Sequence, residues 1–95
     1  MPLRVAASKR GIFIGASLKY PDLLNSDQTY NKIAGEQYDL TTPGNACKWT
    51  ATEPEKDIYN FTECDYVYNW AKSNNMTFRG HNLCWGNEYD SFFIF

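Results

Sequence analysis

The chain has 95 residues, of which 43% are hydrophobic and 21% charged, proportions typical of a folded globular domain. Nine Lys and Arg against eleven Asp and Glu give a net charge of −2, which excludes a basic surface for nucleic acid or anionic lipid. No apolar run reaches the length of a membrane span. Charged residues in the first ten positions also interrupt the chain before any apolar stretch is long enough for the central region of a signal peptide. We therefore expect one small domain that partners neither nucleic acid nor a membrane.

The first third of the chain predicts one strand and one helix. Residues 11–17 form a continuous apolar run between glycines, typical of a strand that is covered on both faces. Residues 20–25 contain a proline and predict a loop. Ser26 is then placed to cap a helix over residues 27–38, whose apolar positions recur with helical spacing.

The remainder predicts two more strands around a second helix. Residues 38–42 form a short strand that Pro43 and Gly44 end. Thr62 resembles a helix cap, and the helix after it is predicted to end near residues 74–75. Its predicted apolar face consists of Tyr66, Val67, Trp70 and Ala71. Residues 76–81 predict a third strand. Strands that alternate with helices form a parallel sheet through right-handed crossovers, so the predicted fold class is α/β.

Polar and aromatic side chains follow the second and third predicted strands. Asn45 and Lys48 come after the second strand, and His81 and Trp85 come after the third. Because parallel strands end at one edge of a sheet, we expect these four residues, the rim residues, to lie together. Indole stacks on the apolar face of a sugar ring, while amide, ammonium and imidazole groups pair with hydroxyls. The rim therefore indicates a sugar site, although tryptophans in the core and a solvated lysine would explain the same spacing.

Four motifs make the sequence similar to a known family. They are Gly11-Ile-Phe-Ile-Gly-Ala16, Thr42-Pro-Gly-Asn-Ala-Cys-Lys-Trp49, Ala51-Thr-Glu-Pro54 with Tyr59-Asn-Phe61, and Arg79-Gly-His-Asn-Leu-Cys-Trp85. In order and spacing they closely resemble the opening of the catalytic domain of glycoside hydrolase family 10, the endo-1,4-β-xylanases. The resemblance divides the chain into an N-terminal extension (1–8), a partial family 10 domain (9–87) and a divergent apolar tail (88–95).

The resemblance implies a TIM (β/α)₈ barrel of which this chain holds about three strands, without closure. It further implies hydrolysis of internal β-1,4-xylosidic bonds in xylan with retention of configuration. Xylan or a xylo-oligosaccharide would be the ligand, no cofactor or metal would be needed, and secretion would be typical of the family. In the family, residues matching Asn45 and Lys48 hydrogen-bond sugars on the non-reducing side of the scissile bond. Those matching His81 and Trp85 enclose the sugar at the cleavage point.

Two kinds of departure separate this chain from the family pattern. The family usually has Glu at position 44 and His at position 86, where this chain has Gly44 and Gly86, so we expect one sugar contact to be lost at each. Both catalytic glutamates of the family lie on later strands and have no counterpart here, so no catalytic residue is assigned. The carboxylates considered for that role and set aside are Glu53, Glu55, Asp57, Glu63, Asp65, Glu88 and Asp90.

Three interpretations remain open at this point. The chain is either part of a xylanase that is inactive alone, or a non-catalytic domain that binds xylo-oligosaccharides, or a small metal-binding protein. The metal site would use Cys47, Cys64, His81 and Cys84. Zinc sites usually have two close ligand pairs, but only His81 and Cys84 form one here, so free, buried thiols are the better explanation. An unclosed sheet also leaves open edges beside the apolar side chains of Ile12, Ile14, Phe78 and Leu83. We therefore expect the isolated chain to be at best marginally folded and to self-associate.

Overall fold

The computed structural model describes residues 1–25 and 27–86. Three strands in this part of the chain are β1 (Gly15–Leu18), β2 (Leu40–Pro43) and β3 (Thr77–Phe78). Its helices are α1 (Leu3–Ser8), α2 (Tyr20–Leu23), α3 (Thr29–Gln37), α4 (Trp49–Thr52) and α5 (Thr62–Ser73). Within the described ranges, no helix combines the length and apolar character needed to cross a membrane. Ser26, the predicted cap, and the tail 88–95 lie outside the described residues.

The three strands form one parallel sheet in the order β1-β2-β3, which confirms the predicted α/β class. Gly15 of β1 pairs with Leu40 of β2, and Leu40 pairs with Thr77 of β3. Thr41 at the centre of the sheet is fully buried, and its hydroxyl donates to the carbonyl of Ala16 at 2.9 Å. The register places the C-terminal ends of all three strands at the same edge.

The observed strands β1 and β3 are shorter than the apolar runs that predicted them. The backbone at Gly11 has φ +69°, in the left-handed region that favours glycine, so the predicted first strand begins with a turn. Ile14 is the first residue to approach the second strand, and its N–H donates to the Asp39 carboxylate at 2.9 Å. The lengths of β1 and β3 are limited to the residues that pair with the four residues of β2. An apolar run in the sequence indicates only which residues are buried.

Helices α1, α2 and α4 were not predicted from the sequence. Residues 20–25 were interpreted as a loop because of Pro21, but α2 begins there, and proline is tolerated in the first turn of a helix. Leu23 of α2 is 1% exposed and belongs to the core. In α1, the guanidinium of Arg4 donates to the carbonyls of Gly35 and Asn74 at 3.0 and 2.9 Å. Arg4 therefore connects the ends of α3 and α5 at the edge opposite to the rim.

The helix start predicted at Thr62 is close, but its capping role is wrong. Thr62 is the first helical residue of α5, and the side chain of Asn60 accepts a hydrogen bond from its N–H at 3.0 Å. Asp27 accepts in the same way from Thr29 N–H at the start of α3, also at 3.0 Å. Each helix is thus preceded by a turn in which a short polar side chain accepts from the N–H two residues later, an arrangement that the spacing of Thr62 does not reveal.

The core lies between the sheet and the two longest helices. The buried residues that form it are Leu18, Leu23, Ala34, Ala46 and Val67. Val67 and Ala71 of α5 are fully buried and Trp70 packs against the core, which confirms three of the four positions predicted for the apolar face of this helix. The fourth, Tyr66, is 38% exposed and meets the ring of Tyr20 edge-on.

The prediction of free, buried thiols is wrong in part, because Cys47 is buried but not free, and Cys84 is free but exposed. Cys47 and Cys64 form a disulfide between the loop after β2 and the first turn of α5. Their Cα atoms lie 4.7 Å apart, within the range for such a bond. Cys84 is a free thiol and is exposed. The pairing was missed because it depends on the loop and the helix meeting in space, which cysteine spacing alone does not specify.

We expect reduction of the Cys47–Cys64 disulfide to lower the free energy of unfolding by about 3 kcal/mol, the chain-entropy value for a closed loop of this size. The two cysteines are 17 residues apart in the sequence. The measurement is urea unfolding followed by circular dichroism, with and without reductant, on the Cys84→Ser variant, which cannot exchange thiols. A Cys47→Ser, Cys64→Ser, Cys84→Ser variant should be insensitive to reductant. Equal stability of Cys84→Ser in both conditions would contradict this expectation.

Apolar side chains are exposed beside the open edges of the sheet. Within the described residues, β1 and β3 are the edge strands. Ile12 is 59% exposed and Leu83 is 80% exposed, as the sequence predicts for residues next to unpaired strands. Ile14 and Phe78 are half-buried instead, and the ring of Phe78 packs edge-on against Tyr68 at 5.3 Å.

We expect the isolated chain to self-associate, because unpaired backbone groups at the edges of a sheet pair readily with a second strand. Sedimentation equilibrium should therefore give a mass above 11.0 kDa that rises with protein concentration. The Leu83→Lys variant, which adds charge beside β3, should shift the distribution toward the monomer. Lys32→Leu, on the exposed surface of α3, tests whether any change in surface charge alters the measured mass. A monodisperse monomer with a sharp cooperative melt would refute the expectation.

Candidate functional site

The loops that follow β1, β2 and β3 meet at the C-terminal edge of the sheet. Gly44 directly follows β2, and its N–H donates to the carbonyl of Leu18 at the end of β1, at 2.8 Å. Arg79 directly follows β3, and its N–H donates to the carbonyl of Thr41 at 2.9 Å. These backbone bonds fix where the two loops that carry the rim residues leave the sheet.

Lys48 connects two of the other rim residues. Its ammonium group donates to the side-chain oxygen of Asn45 at 2.7 Å. The same nitrogen lies 5.0 Å from the centre of the Trp85 ring, in the range of a cation–π contact. Trp85 keeps 44% of its surface exposed. The structure therefore brings Asn45, Lys48 and Trp85 together from two loops.

The fourth rim residue, His81, takes part in neither of these contacts. It lies in the loop after β3, is half-buried, and precedes a cis peptide bond to Asn82. The side-chain amide of Asn82 reaches the carbonyl of Cys84 at 3.5 Å. His81 thus lies at the predicted edge of the sheet.

The chemical groups of this site complement a polyol. An ammonium group donates hydrogen bonds, and an amide both donates and accepts them. An indole ring offers a flat apolar surface on which the C–H face of a sugar can stack. Asn45, Lys48 and Trp85 place all three kinds of group within one contact network. The arrangement can hold a hydroxylated ring.

Glu53 holds the neighbouring loop through both oxygens of its carboxylate. One oxygen accepts from the Trp49 indole N–H and the other from the N–H of Asp57, each at 2.9 Å. These bonds, that of Trp49 first, lower the pKa of Glu53 below its usual value. The negative charge of Glu53 is the main cause that raises the pKa of Tyr59. The geometry agrees with the interpretation of residues 53–54 as a structural loop.

The structure weakens the alternative of a metal site. That site would use Cys47 and Cys64 as ligands, but the disulfide between them removes both thiolates. Across residues 1–25 and 27–86, no three His, Cys, Asp or Glu side chains are grouped to hold a metal ion.

A pocket next to Asn45 was missed from the sequence. Its volume is about 230 Å³, and its lining residues are Lys19, Tyr20, Pro21, Asn45, Ala46 and Glu63. The first three directly follow β1, at the same edge as the rim. The rule that ligands bind beyond the C-terminal ends of parallel strands could have identified them, had it been applied to the first strand.

The chain matches the family model of glycosyl hydrolase family 10 over residues 2–94. It is 38% identical over 91 residues to endo-1,4-beta-xylanase D of Talaromyces funiculosus. It is 36% identical over 90 residues to endo-1,4-beta-xylanase B of Thermotoga neapolitana. These alignments include 95% and 93% of this chain but 22% and 26% of the relatives. The chain therefore spans about a quarter of the length of these curated proteins.

Solved structures agree with the sequence comparison. Native xylanase 10B from Thermotoga maritima superposes with a TM-score of 0.91 at 33% identity, over 97% of this chain and 29% of that one. Xylanase 10B from Thermotoga petrophila RKU-1, solved in complex with xylobiose, also gives 0.91, at 34% identity, over 97% and 28% of the two chains. The predicted resemblance is confirmed, and so is the predicted fold, three strands of a (β/α)₈ barrel that the described residues do not close.

We expect Glu53→Gln to weaken the acid sensitivity of the fold. Because the folded pKa of Glu53 is lowered, the unfolded chain takes up its proton at a higher pH than the folded chain does. The stability contributed by this group is complete above the unfolded pKa and is lost as the pH falls through the folded pKa. The urea midpoint should therefore fall less between about pH 6 and about pH 3 in Glu53→Gln than in the parent chain.

The control for this measurement is Glu36→Gln, which makes the same change of charge on α3. Its acid dependence should stay close to that of the parent chain. Asp27, whose pKa is also lowered by its bonds to Thr29, contributes equally in all three proteins. If the urea midpoint fell with pH as much in Glu53→Gln as in the parent chain, the two hydrogen bonds of Glu53 would not favour the ionised carboxylate.

Proposed function

Because the chain belongs to glycosyl hydrolase family 10, we propose that it is part of an endo-1,4-β-xylanase and supplies sugar-binding residues to that enzyme. The residues concerned are Asn45, Lys48, His81 and Trp85. The ligand is xylan or a xylo-oligosaccharide. The two catalytic glutamates of the family are not among the residues of this chain, which is therefore inactive by itself.

The contact between Lys48 and its two neighbours is the observation that carries this proposal. Its ammonium group lies 2.7 Å from the Asn45 oxygen and 5.0 Å from the centre of the Trp85 ring. A positive charge over the indole holds that ring in place beside the amide. A sugar could then stack on Trp85 while its hydroxyls bond to Asn45 and Lys48.

The four residues have different roles in this proposal. Asn45 and Lys48 bind hydroxyl groups on the non-reducing side of the bond to be cleaved. Trp85 and His81, from the loop after β3, enclose the sugar at that bond. A relative from Thermotoga petrophila was solved with xylobiose, a ligand of the kind proposed here. Gly44 and Gly86 have no side chains, so each is expected to remove one contact that is usual in the family.

Hydrolysis needs groups that this site does not provide. A retaining glycosidase uses two carboxyl groups about 5–5.5 Å apart on either side of the scissile bond. Glu53, close to the rim in sequence, has both oxygens committed to hydrogen bonds with Trp49 and Asp57. Such a carboxylate is a poor nucleophile and a poor proton donor, because its hydrogen bonds favour the ionised form. Glu88, near the rim in sequence, lies outside the described residues.

A second candidate function is binding without cleavage. The same residues could hold a xylo-oligosaccharide in a domain that performs no hydrolysis. The exposed surface of Trp85 favours this candidate, since it lets a sugar reach the indole in the isolated chain. The two candidates differ in whether the rim forms a working enzyme once later strands of a barrel are added.

We expect hydrolysis only when the chain is joined to the remainder of a barrel. The test compares the purified chain with a hybrid in which it replaces the matching first part of xylanase 10B from Thermotoga maritima, a relative of high structural similarity. Release of reducing sugar from xylan and cleavage of an aryl xylobioside are measured for both. Activity of the hybrid alone supports the first candidate, and activity of the short chain would overturn it.

Variants of the hybrid test the role of the rim itself. Lys48→Ala should lower kcat/KM by about tenfold to a hundredfold, the effect of losing one hydrogen bond to a charged group. The matched control is Lys72→Ala, in the last turn of α5, far along the helix from the rim. Isothermal titration of the short chain with xylotetraose decides the second candidate. Binding without activity in either protein favours it, and an absence of heat counts against it.

A further inference from the structure

Two tripeptides of the chain match the acceptor pattern for N-linked glycans, in which Ser or Thr follows two residues after Asn. They are Asn60-Phe61-Thr62, where α5 begins, and Asn75-Met76-Thr77, where β3 begins. A pattern this short often occurs by chance. Surface exposure and local geometry therefore decide whether either asparagine can carry a glycan, which is bulky and needs a position at the surface.

Asn60 is exposed and held in a turn that leaves its amide nitrogen accessible. Its side-chain oxygen accepts a hydrogen bond from Thr62 N–H at 3.0 Å, and its own N–H donates to the carbonyl of Thr52 at 2.9 Å. The nitrogen of the side-chain amide makes no hydrogen bond within residues 1–25 and 27–86. This nitrogen is the atom to which an N-linked sugar is attached, so the bonding atom needs no release from a partner.

The same turn brings the second required residue into place. Thr62 is exposed, and its hydroxyl also makes no hydrogen bond in the part of the chain that the structure describes. Such a turn joins an asparagine to the backbone only two residues later, so it can form from local contacts before the domain has folded. The amide of Asn60 and the hydroxyl of Thr62 are therefore available together in both the unfolded and the folded chain.

The second tripeptide is exposed but differs in its geometry. The backbone of Asn75 has φ +54°, and its carbonyl accepts from the guanidinium of Arg4 at 2.6 Å. The N–H of Thr77 donates to the carbonyl of Asp39 at 2.8 Å, as part of the pairing between β3 and its neighbour. That N–H is therefore not available for a turn with the Asn75 side chain. Only the first tripeptide combines exposure with the turn.

The disulfide is an independent observation that points to the same modification. Cys47 and Cys64 are bonded to each other, and Cys64 lies two residues after Thr62 in the first turn of α5. Disulfides form and persist in oxidising compartments, among them the lumen of the endoplasmic reticulum. N-linked glycans are added in that lumen, so one compartment supports both modifications of this turn.

Apolar surface surrounds Asn60 along the chain. The rings of Tyr59 and Phe61 stack on each other with their centres 5.9 Å apart, and they remain 58% and 52% exposed. A hydrated glycan on the residue between them would shield part of this surface from contact with other molecules.

We propose that Asn60, in preference to Asn75, is the acceptor of an N-linked glycan. The donor is an oligosaccharide joined through pyrophosphate to a membrane lipid, and a glycosyltransferase of the cell performs the transfer. The side-chain nitrogen of Asn60 forms a bond to the anomeric carbon of the first sugar and loses one proton. The bond between that carbon and the pyrophosphate oxygen breaks, and the lipid pyrophosphate leaves with its electron pair. Nothing is oxidised or reduced.

The test is production of the full chain, behind a secretion leader, in a eukaryotic cell line that attaches N-linked glycans. The chain is recovered from the medium and from the cells, so that molecules that fold poorly are also measured. Removal of the glycan by an amidase in heavy-oxygen water converts a modified asparagine to a labelled aspartate, which peptide mass spectrometry locates. We expect the label at Asn60 in most molecules and at Asn75 in few.

Matched threonine variants show whether the acceptor pattern itself is used. Thr62→Ala removes the hydroxyl but keeps the N–H that bonds to Asn60, and it should abolish the label there. Thr62→Ser restores a hydroxyl and should restore the label. Thr77→Ala, the same change in the second tripeptide, is the control and should leave the label at Asn60 unchanged.

Loss of the label in Thr62→Ala, with retention in Thr62→Ser and Thr77→Ala, supports the assignment of Asn60. An unmodified Asn60 in the parent chain would overturn it, and so would a label at Asn75 equal to or above that at Asn60. A label at Asn60 that persists in Thr62→Ala would also overturn it, because the acceptor pattern would then not be used. All of these outcomes leave sugar binding by the rim untouched.

Discussion

The pairing of β2 with a parallel strand on each side is the interaction on which the rest of the structure depends. Thr41 lies at its centre with no exposed surface, and its hydroxyl satisfies a buried carbonyl of β1. A shift of the register would expose the apolar side of β2 and leave this polar group unpaired, at a cost well above that of an ordinary surface change. The register also decides that the loops after the three strands emerge at the same end of the sheet, and the four rim residues lie in the loops after β2 and β3.

The two ends of the sheet, where its strands begin and where they end, are stabilised by different means. At the edge opposite to the rim, one guanidinium, that of Arg4, satisfies carbonyls at the ends of α3 and α5. Helix ends leave carbonyls without partners inside the helix, and the several donors of a guanidinium can satisfy more than one of them. At the rim, the Cys47–Cys64 disulfide performs the corresponding task with a covalent bond. The loop that carries Asn45 and Lys48 is consequently restrained from both sides, by the sheet and by α5.

This restraint matters because the candidate ligand is weakly anchored. Sugar recognition depends on several modest hydrogen bonds and on stacking, and each loses value if the protein groups must first be ordered. A site that places Lys48 between an amide and an indole has already ordered three side chains. Under the proposed function, the hydrolytic groups come from other strands of a barrel that takes about 250 residues to close.

The alternation of the three strands with α3 and α5, the parallel sheet and the positions of the four rim residues after β2 and β3 followed from the sequence, because periodicity and the succession of strand and helix are local properties. Family membership was also predictable, since four motifs in register are far more specific than one. Helices α1 and α2 were not predictable with the same rules, because they are short and one contains a proline.

What only the tertiary structure decided is how separate loops meet. The sequence places Cys47, Cys64 and Cys84 at intervals that allow several pairings, and it places Lys48 and Trp85 after different strands. That two of the cysteines join, that Lys48 lies over the indole, and that Lys19 and Glu63 face one pocket are facts about distances between loops. Such distances arise from the packing of α5 and the loops against the sheet, and no local pattern of residues encodes them.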